Sequence, residues 1–342
     1  MSSVNTYLPP GEGETVFTVS STPIKFGVGA LRELGADAQG LGMTRVALFV
    51  DDHVLGTEAG ADALASLRAA GLDAVVYDHV RCEPDSDSFA AAAAFVREGA
   101  FDGFVSLGGG SVIDTAKAAN LLSTWPDDLL AYINAPIGRA KPIPGKLKPH
   151  IACPTTCGTG SETTGITIVD LKSVGLKTGI ASPLLKPTLA LIDPRTTESL
   201  PGGVVAATGF DVLTHAVESY TARPYTSRPK PAHPSQRPPY QGSTPYNDIG
   251  SLHAIRLGGR YLARAVRDAG DTEARHQLMF ASTLAGLAFG SAGVHIPHAM
   301  SYSVATLKHV YSAQGYEDRE RMVPHGIAVV INAPAAFRFT AQ

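Results

Sequence analysis

Phe101-Asp-Gly-Phe-Val-Ser-Leu107, then Gly108-Gly109-Gly110, then Ser111-Val-Ile-Asp114-Thr-Ala-Lys117 is the stretch on which the fold turns. The apolar run predicts a buried strand over 101–107, and the spacing from 111 to 122 predicts a helix. Glycines let a backbone approach an anion closely, and a new helix offers unpaired N–H groups and the positive end of its dipole. The stretch therefore reads as a pyrophosphate site at a strand-to-helix turn. The plainer reading is a tight turn in which Ser111 and Asp114 form an ordinary helix cap. The triplet matches neither G-x-G-x-x-G nor a Walker sequence.

Working outward, strands are expected at 46–50 and 74–77 and helices at 57–70 and 86–98. This alternation implies a parallel sheet covered by helices. Further strands are expected at 151–153, 165–169 and 189–192. A second loop follows one of them: Pro154-Thr155-Thr156-Cys157-Gly158-Thr159-Gly160-Ser161-Glu162-Thr163-Thr164 sets hydroxyls among glycines. Two such loops after strands of one α/β half favour a nucleotide. The loops offer Gly109, Asp114, Thr156 and Ser161 as candidate contacts. Asp52, just beyond a strand end, is placed to bind adenosine-ribose hydroxyls and disfavour a 2′-phosphate; a turn or capping aspartate is its rival reading.

After Asp193-Pro194 the character changes to helix, over 204–221, 249–267, 272–292 and 298–311. Pro201-Gly202-Gly203 breaks the chain, so an α/β nucleotide domain over 1–199 and an all-helical domain over 200–342 are expected. The proline-dense segment 223–245 excludes regular helix or central strand and predicts a long ordered loop.

Composition bounds the function. The 342 residues are 44% hydrophobic and 17% charged, with net charge −3, so no general nucleic-acid binder is indicated. No apolar run is long enough for a bilayer. The N-terminal residues show neither a signal nor a transit pattern, so a cytoplasmic protein is expected. Three cysteines (Cys82, Cys153, Cys157) suit a reducing compartment. The expected partners are small molecules and further copies of the chain, with neither nucleic acid nor membrane.

Asp211-Val-Leu-Thr-His215 places a carboxylate and an imidazole four residues apart on one helix face. With two further histidines such a pair would suit a divalent transition metal acting as a Lewis acid. Eleven histidines make chance pairing common. Spacing does not choose between His295 and His298 in His295-Ile-Pro-His298, and His325 in Pro-His-Gly also reads as a capping residue.

Four motifs, taken in order, resemble the iron-containing alcohol dehydrogenase family: Gly-Gly-Gly-Ser-Val-Ile-Asp-Thr-Ala-Lys, Pro-Thr-Thr-Cys-Gly-Thr-Gly-Ser-Glu, Gly-Phe-Asp-Val-Leu-Thr-His-Ala-Val-Glu and Pro-His-Gly. The resemblance runs from about Thr18 to the last residue. Within that family Arg-Pro-Pro-Tyr-Gln-Gly-Ser-Thr-Pro and Ala-Gly-Val-His-Ile-Pro-His-Ala-Met-Ser-Tyr are similar to the transhydrogenase branch. The resemblance implies a dehydroquinate synthase-like fold, with the active site in a cleft between an α/β and a helical domain. It implies metal ligands Asp211, His215, His298 and His325, with Fe2+ favoured and Zn2+ allowed. It also implies NAD contacts at Asp52, Gly110, Ser111, Thr155, Thr159 and Lys177.

The implied reaction is hydride transfer from 4-hydroxybutyrate to 2-oxoglutarate through bound NAD. Tyr302 stands where the family's alcohol dehydrogenases carry a second histidine, which weakens simple alcohol dehydrogenation; Tyr302 itself is the candidate proton relay. A substrate carboxylate calls for a cation, and Arg223 and Arg237 of the proline-rich loop are the candidates. The alternatives are an NAD-dependent alcohol or 4-hydroxybutyrate dehydrogenase, and a silent nucleotide-binding chain, the sequence ending at Gln342 before the family's last helices.

Overall fold

The computed structural model describes residues 13–307, 311–316 and 321–341. Five strands come first: β1 (Ile24–Phe26), β2 (Arg45–Val50), β3 (Asp73–Tyr77), β4 (Gly103–Gly108) and β5 (His150–Pro154). They are followed by β6 (Ile166–Leu171), β7 (Leu176–Ala181) and β8 (Leu189–Ile192). Six of them form one parallel sheet in the order β1-β8-β5-β4-β2-β3. The segment expected as a strand near 165–169 is β6, but it pairs antiparallel with β7 outside that sheet. β1 and β7 were not expected. β1 is three residues long, and β7 carries Lys177, Thr178 and Gly179, so neither shows an apolar run.

Both faces of the sheet are buried, as parallel sheets require. Along β2, Val46, Leu48 and Val50 join Leu31, Leu34 and Leu67 on one face. Ala47 and Phe49 join Ala92, Val96, Phe104 and Ala116 on the other. Each large side chain so buried contributes about 2 kcal/mol. The covering helices are α1 (Leu34–Gly40), α2 (Asp52–Leu55), α3 (Glu58–Ala69), α4 (Ser86–Gly99), α5 (Gly110–Thr124) and α6 (Leu129–Tyr132). Asp85 and Ser88 form a reciprocal capping box at the start of α4.

The remaining helices are α7 (Gly202–Thr221), α8 (Pro245–Arg267), α9 (Thr272–Ala292), α10 (Ile296–Ala305), α11 (His325–Val330) and α12 (Ala333–Thr340). α7, α8 and α9 pack on one another, and α11 lies on α7. α8 begins earlier than its apolar period suggests, because Thr244 caps it through the Asn247 N–H and Pro245 takes the first position. α10 stops at Ala305, short of the expected 311; residues 308–310 lie outside the described set. The proline-rich stretch holds only two 3-10 turns, Tyr225–Ser227 and Pro234–Gln236. No single described helix is long and apolar enough to cross a membrane.

Contacts divide the chain into two units. One is Thr22–Thr156 with Ser161–Leu200. The other is Pro201–Gln342 with Cys157–Gly160 and the residues up to Ser21. The main break thus falls at the Pro-Gly-Gly sequence, while two short stretches of the first 199 residues belong with the helices.

Candidate metal centre and nucleotide loops

α7 presents Asp211, His215 and Glu218 at positions i, i+4 and i+7, one face of a helix. All three are buried. His298 comes from the first turn of α10, and His325 is the first residue of α11. Three imidazole nitrogens surround one oxygen, Asp211 Oδ1: His298 Nε2 at 3.4 Å, His215 Nδ1 at 3.7 Å and His325 Nε2 at 3.9 Å. Ligand atoms of Asp211, His298 and His325 all lie within 4.8 Å of one another. His215 is outside that mutual group. Its ring is sandwiched between Phe289 (centroids 4.1 Å) and His298 (4.4 Å), with Nδ1 turned to Asp211 Oδ1 at 3.7 Å.

The delivery of His325 depends on a glycine. A Cβ on Gly326 would stand 1.9 Å from the Ala207 carbonyl oxygen and 3.0 Å from Asp211 Cβ. Only glycine lets α11 close on α7 at this point.

Glu218, which the sequence reading did not single out, orients the site. Its Oε2 accepts the Nδ1–H of His298, and its Oε1 accepts the His295 N–H at 2.6 Å and the His298 N–H at 3.5 Å. One carboxylate therefore holds the N-terminus of α10 and turns His298 Nε2 towards Asp211. The signal was present in the sequence as the i+7 position of the Asp211 face. His295, the rival to His298, points elsewhere: its Nε2 meets Thr221 Oγ1 at 3.0 Å.

The electrostatics suit a cation. Burial alone would push Asp211 up, but the neighbouring His215, His325 and His298 pull it far below the usual carboxylate range. Burial pushes His215 down to about 4, against the charge of Asp211, so its ring is neutral with a lone pair to give. For His298 burial is outweighed by the Asp211 and Glu218 carboxylates, which raise it to about 9. Among the described residues, Asp211 Oδ1, His215 Nδ1 and His298 Nε2 are buried with no hydrogen-bond partner. Buried polar atoms are normally satisfied, so the unpartnered Asp211 Oδ1 and His298 Nε2, with His215 Nδ1 3.7 Å from that oxygen, fit a shared ion. Tetrahedral ligands about 2.1 Å from a metal stand roughly 3.4 Å apart, close to the separations observed.

In the α/β unit the candidate nucleotide residues gather at the C-terminal ends of adjacent strands. Val50 of β2 pairs Leu107 of β4, and Gly108 of β4 pairs Pro154 of β5. β2 leads to β3 on one side and β4 lies on its other side, so the chain reverses its winding direction between β2 and β4. Ligands of open α/β sheets bind at such a switch point. Asp52 is exposed there, and Asp51 rather than Asp52 caps α2.

The cap for α5 is Gly109, with no side-chain cap, so the capping reading of Ser111 and Asp114 does not describe the structure. Its first N–H groups are available to an anion. A Cβ on Gly109 would come 3.2 Å from Thr156 Cγ2, and the Thr155 N–H donates to the Gly108 carbonyl at 3.0 Å. The two loops are in contact. Lys177 pairs with Glu83, whose N–H donates to Ser111 Oγ at 3.3 Å, bringing Lys177 towards the start of α5. Thr159 belongs to the helical unit. Asp114 and Ser161 are buried and bonded to each other, Oγ to Oδ1 at 2.5 Å.

Among the loop cations, Arg237 is already committed to buried Glu14, with Nε to Oε2 at 2.8 Å and Nη2 to Oε1 at 3.3 Å. With Arg228, Lys230 and Tyr225 it lines a cavity of about 270 Å³. Arg223 is exposed. Tyr302 is half-buried one turn after His298 and is an electrostatic neighbour of Tyr240, whose phenol burial pushes well up.

A parallel sheet with a switch point in one unit and a carboxylate gathered with imidazoles in the other fit the class of enzymes that pair a nucleotide with a divalent ion. The profile of iron-containing alcohol dehydrogenases matches residues 21–194, and the C-terminal profile of Fe-containing alcohol dehydrogenases matches 240–342. The chain is 50% identical over 328 residues to a mitochondrial hydroxyacid-oxoacid transhydrogenase of Bos taurus, covering 95% of this chain and 70% of that one. The Homo sapiens protein of that name is 48% identical with the same coverage. Among solved structures, 1,3-propanediol oxidoreductase superposes with a TM-score of 0.81 at 28% identity, covering 95% and 76% of the two chains. Sulfoacetaldehyde reductase of Bifidobacterium kashiwanohense, solved with NAD+, gives 0.77 at 27%, covering 95% and 77%.

The chain belongs to the iron-containing alcohol dehydrogenase family. It is an oxidoreductase acting on CH–OH groups of small molecules, and it is similar over nearly its whole length to hydroxyacid-oxoacid transhydrogenases.

Proposed function

We propose that this chain moves hydride from a hydroxyacid to a 2-oxoacid through an NAD that stays bound, 4-hydroxybutyrate and 2-oxoglutarate being the pair. Asp211, His215, His298 and His325 would hold the divalent ion. The observation that carries the site is the gathering of three imidazole nitrogens at 3.4–3.9 Å around Asp211 Oδ1. When bound, Fe2+ or Zn2+ would polarise the substrate oxygen as a Lewis acid.

The chain's own residues do the rest. Asp211 supplies the anionic donor and His215 a neutral ring. Glu218 keeps the Nδ1 proton of His298, so that Nε2 is presented to the site. Tyr302 would pass the hydroxyl proton through its Oη. Of the two proposed carboxylate readers, Arg237 is already paired with Glu14, so exposed Arg223 is the stronger candidate. The uncapped start of α5 takes the pyrophosphate, and Asp52 the ribose.

Tyr302 in place of the alcohol dehydrogenases' histidine favours the transhydrogenase over a dehydrogenase that releases its cofactor. The test combines elemental analysis of protein prepared without air with turnover of hydroxyacid plus oxoacid in the absence of added dinucleotide. Metal near one equivalent and unaided turnover support the proposal. A strict need for added NAD replaces it with the dehydrogenase, and a metal-free protein that binds NADH without turnover replaces it with a binding protein. The proposed location is the cytoplasm, although the transhydrogenase relatives are named mitochondrial; co-fractionation with a matrix marker would overturn it. A homo-oligomer is proposed, to be checked by mass in solution.

A further inference from the structure

The α/β unit buries a lysine that the mechanism does not use. The Lys117 side chain, on the second turn of α5, is wholly buried. Its ammonium donates to the Ser161 carbonyl (2.7 Å), Ser161 Oγ (2.8 Å), the Thr164 carbonyl (3.0 Å) and the Ile166 carbonyl (2.8 Å). Asp114, one turn earlier on the same helix, accepts from Ser161 Oγ and from the Ile168 N–H at 2.8 Å. Its own carbonyl accepts from Thr167 Oγ1 at 2.9 Å. Every one of these bonds joins α5 to the segment 161–168, where the hydroxyl-rich loop ends and β6 begins.

The other end of that loop is fastened to the same element. The Thr155 N–H bonds the Gly108 carbonyl, and Thr156 lies against Gly109. The loop between is therefore held at both ends by the glycine turn and its helix. Placing an ammonium out of water is costly unless its partners repay it. Lys117 has two carboxylates near it, Asp114 at 3.7 Å and Glu162 as a longer-range charge. Most of its bonds nevertheless go to main-chain carbonyls, those of Ser161, Thr164 and Ile166. Its ammonium thus acts as a clasp on loop conformation more than as half of an ion pair.

We propose that Lys117 is a positioning residue for the dinucleotide: it fixes the far end of the second loop to α5, so that both loops are formed before the nucleotide arrives. This rests on the nucleotide reading above. The consequence is a binding effect, because a loop that must be ordered on binding lowers affinity by the cost of ordering it.

The test uses the full chain with Lys117→Met and, as a milder variant that removes one hydroxyl from the clasp, Ser161→Ala. NADH affinity is read from fluorescence of the bound dihydronicotinamide, metal content from elemental analysis, and loop order from amide hydrogen exchange over 155–161. Lys117→Met is expected to weaken NADH binding about tenfold or more, and Ser161→Ala by a smaller factor, since buried acceptors lose their donor. Metal content should hold while exchange in the loop quickens. If Lys117→Met loses metal and nucleotide together, it has unfolded, and Ser161→Ala decides. Wild-type affinity and loop exchange in Ser161→Ala would overturn the inference while leaving the nucleotide reading intact. Wild-type protein that binds no dinucleotide would overturn both.

Discussion

At the scale of single residues, burial and charge set the expectations. Glu218 spends its whole carboxylate on His298 and the start of α10, so Glu218→Gln should weaken metal affinity roughly 10- to 100-fold, the usual cost of losing a ligand's partner. Metal retained against a graded chelator series at the wild-type level would refute this. Burial raises Glu162 to about 7 from 4.5, against the opposing charge of Lys117. The native state then binds more protons than the unfolded state between those values, so this contribution to stability is present below pH 4.5 and is lost as pH rises through about 7. Glu162→Gln should flatten the melting temperature across that window; a slope equal to wild type would count against the assignment. Arg223→Gln should raise KM for both acids about tenfold with little change in kcat, as expected for loss of a charged contact. Unchanged KM values would remove Arg223 from the site. Arg237→Gln, which strands buried Glu14, should instead lower the melting temperature with KM near wild type.

At the scale of elements, the metal centre is a question of how closely helices approach. α7 supplies two donors by periodicity alone, and α11 adds His325 only because Gly326 allows it to lie against the Ala207 carbonyl. Gly326→Ala should force α11 away, with loss of metal and a destabilisation of about 1–3 kcal/mol from overpacking. A variant that keeps both its metal and its melting temperature would show that α11 has room to spare. The nucleotide loops show the same dependence on neighbours. β4 and β5 are consecutive in the sheet, which puts Gly108 beside Pro154 and lets one loop brace the other.

At the scale of the whole molecule, the chain divides into two units, each with its own candidate ligand. A ligand that binds only the folded form stabilises the part it binds, by an amount set by its concentration over its Kd. Chelation should therefore lower the unfolding free energy of the helical unit, and NADH should raise that of the α/β unit, read by hydrogen exchange peptide by peptide. Equal shifts of all peptides by either ligand would contradict this division.

The sequence by itself determined the alternation of strands and helices, the family, and the residue types at both sites. These depend on local periodicity, on glycine and proline punctuation, and on motifs within a few residues. Asp211, His215 and Glu218 share a face for that reason. Tertiary structure alone decided which distant groups meet. It separated His298 from His295 by what each ring faces, tied Arg237 to Glu14, and removed β6 from the main sheet. It also joined Lys117 and Asp114 of α5 to Ser161 of the second loop in one buried cluster. Such pairings join residues tens to hundreds of positions apart, and no local pattern encodes them, because they arise only when packing brings those segments into contact.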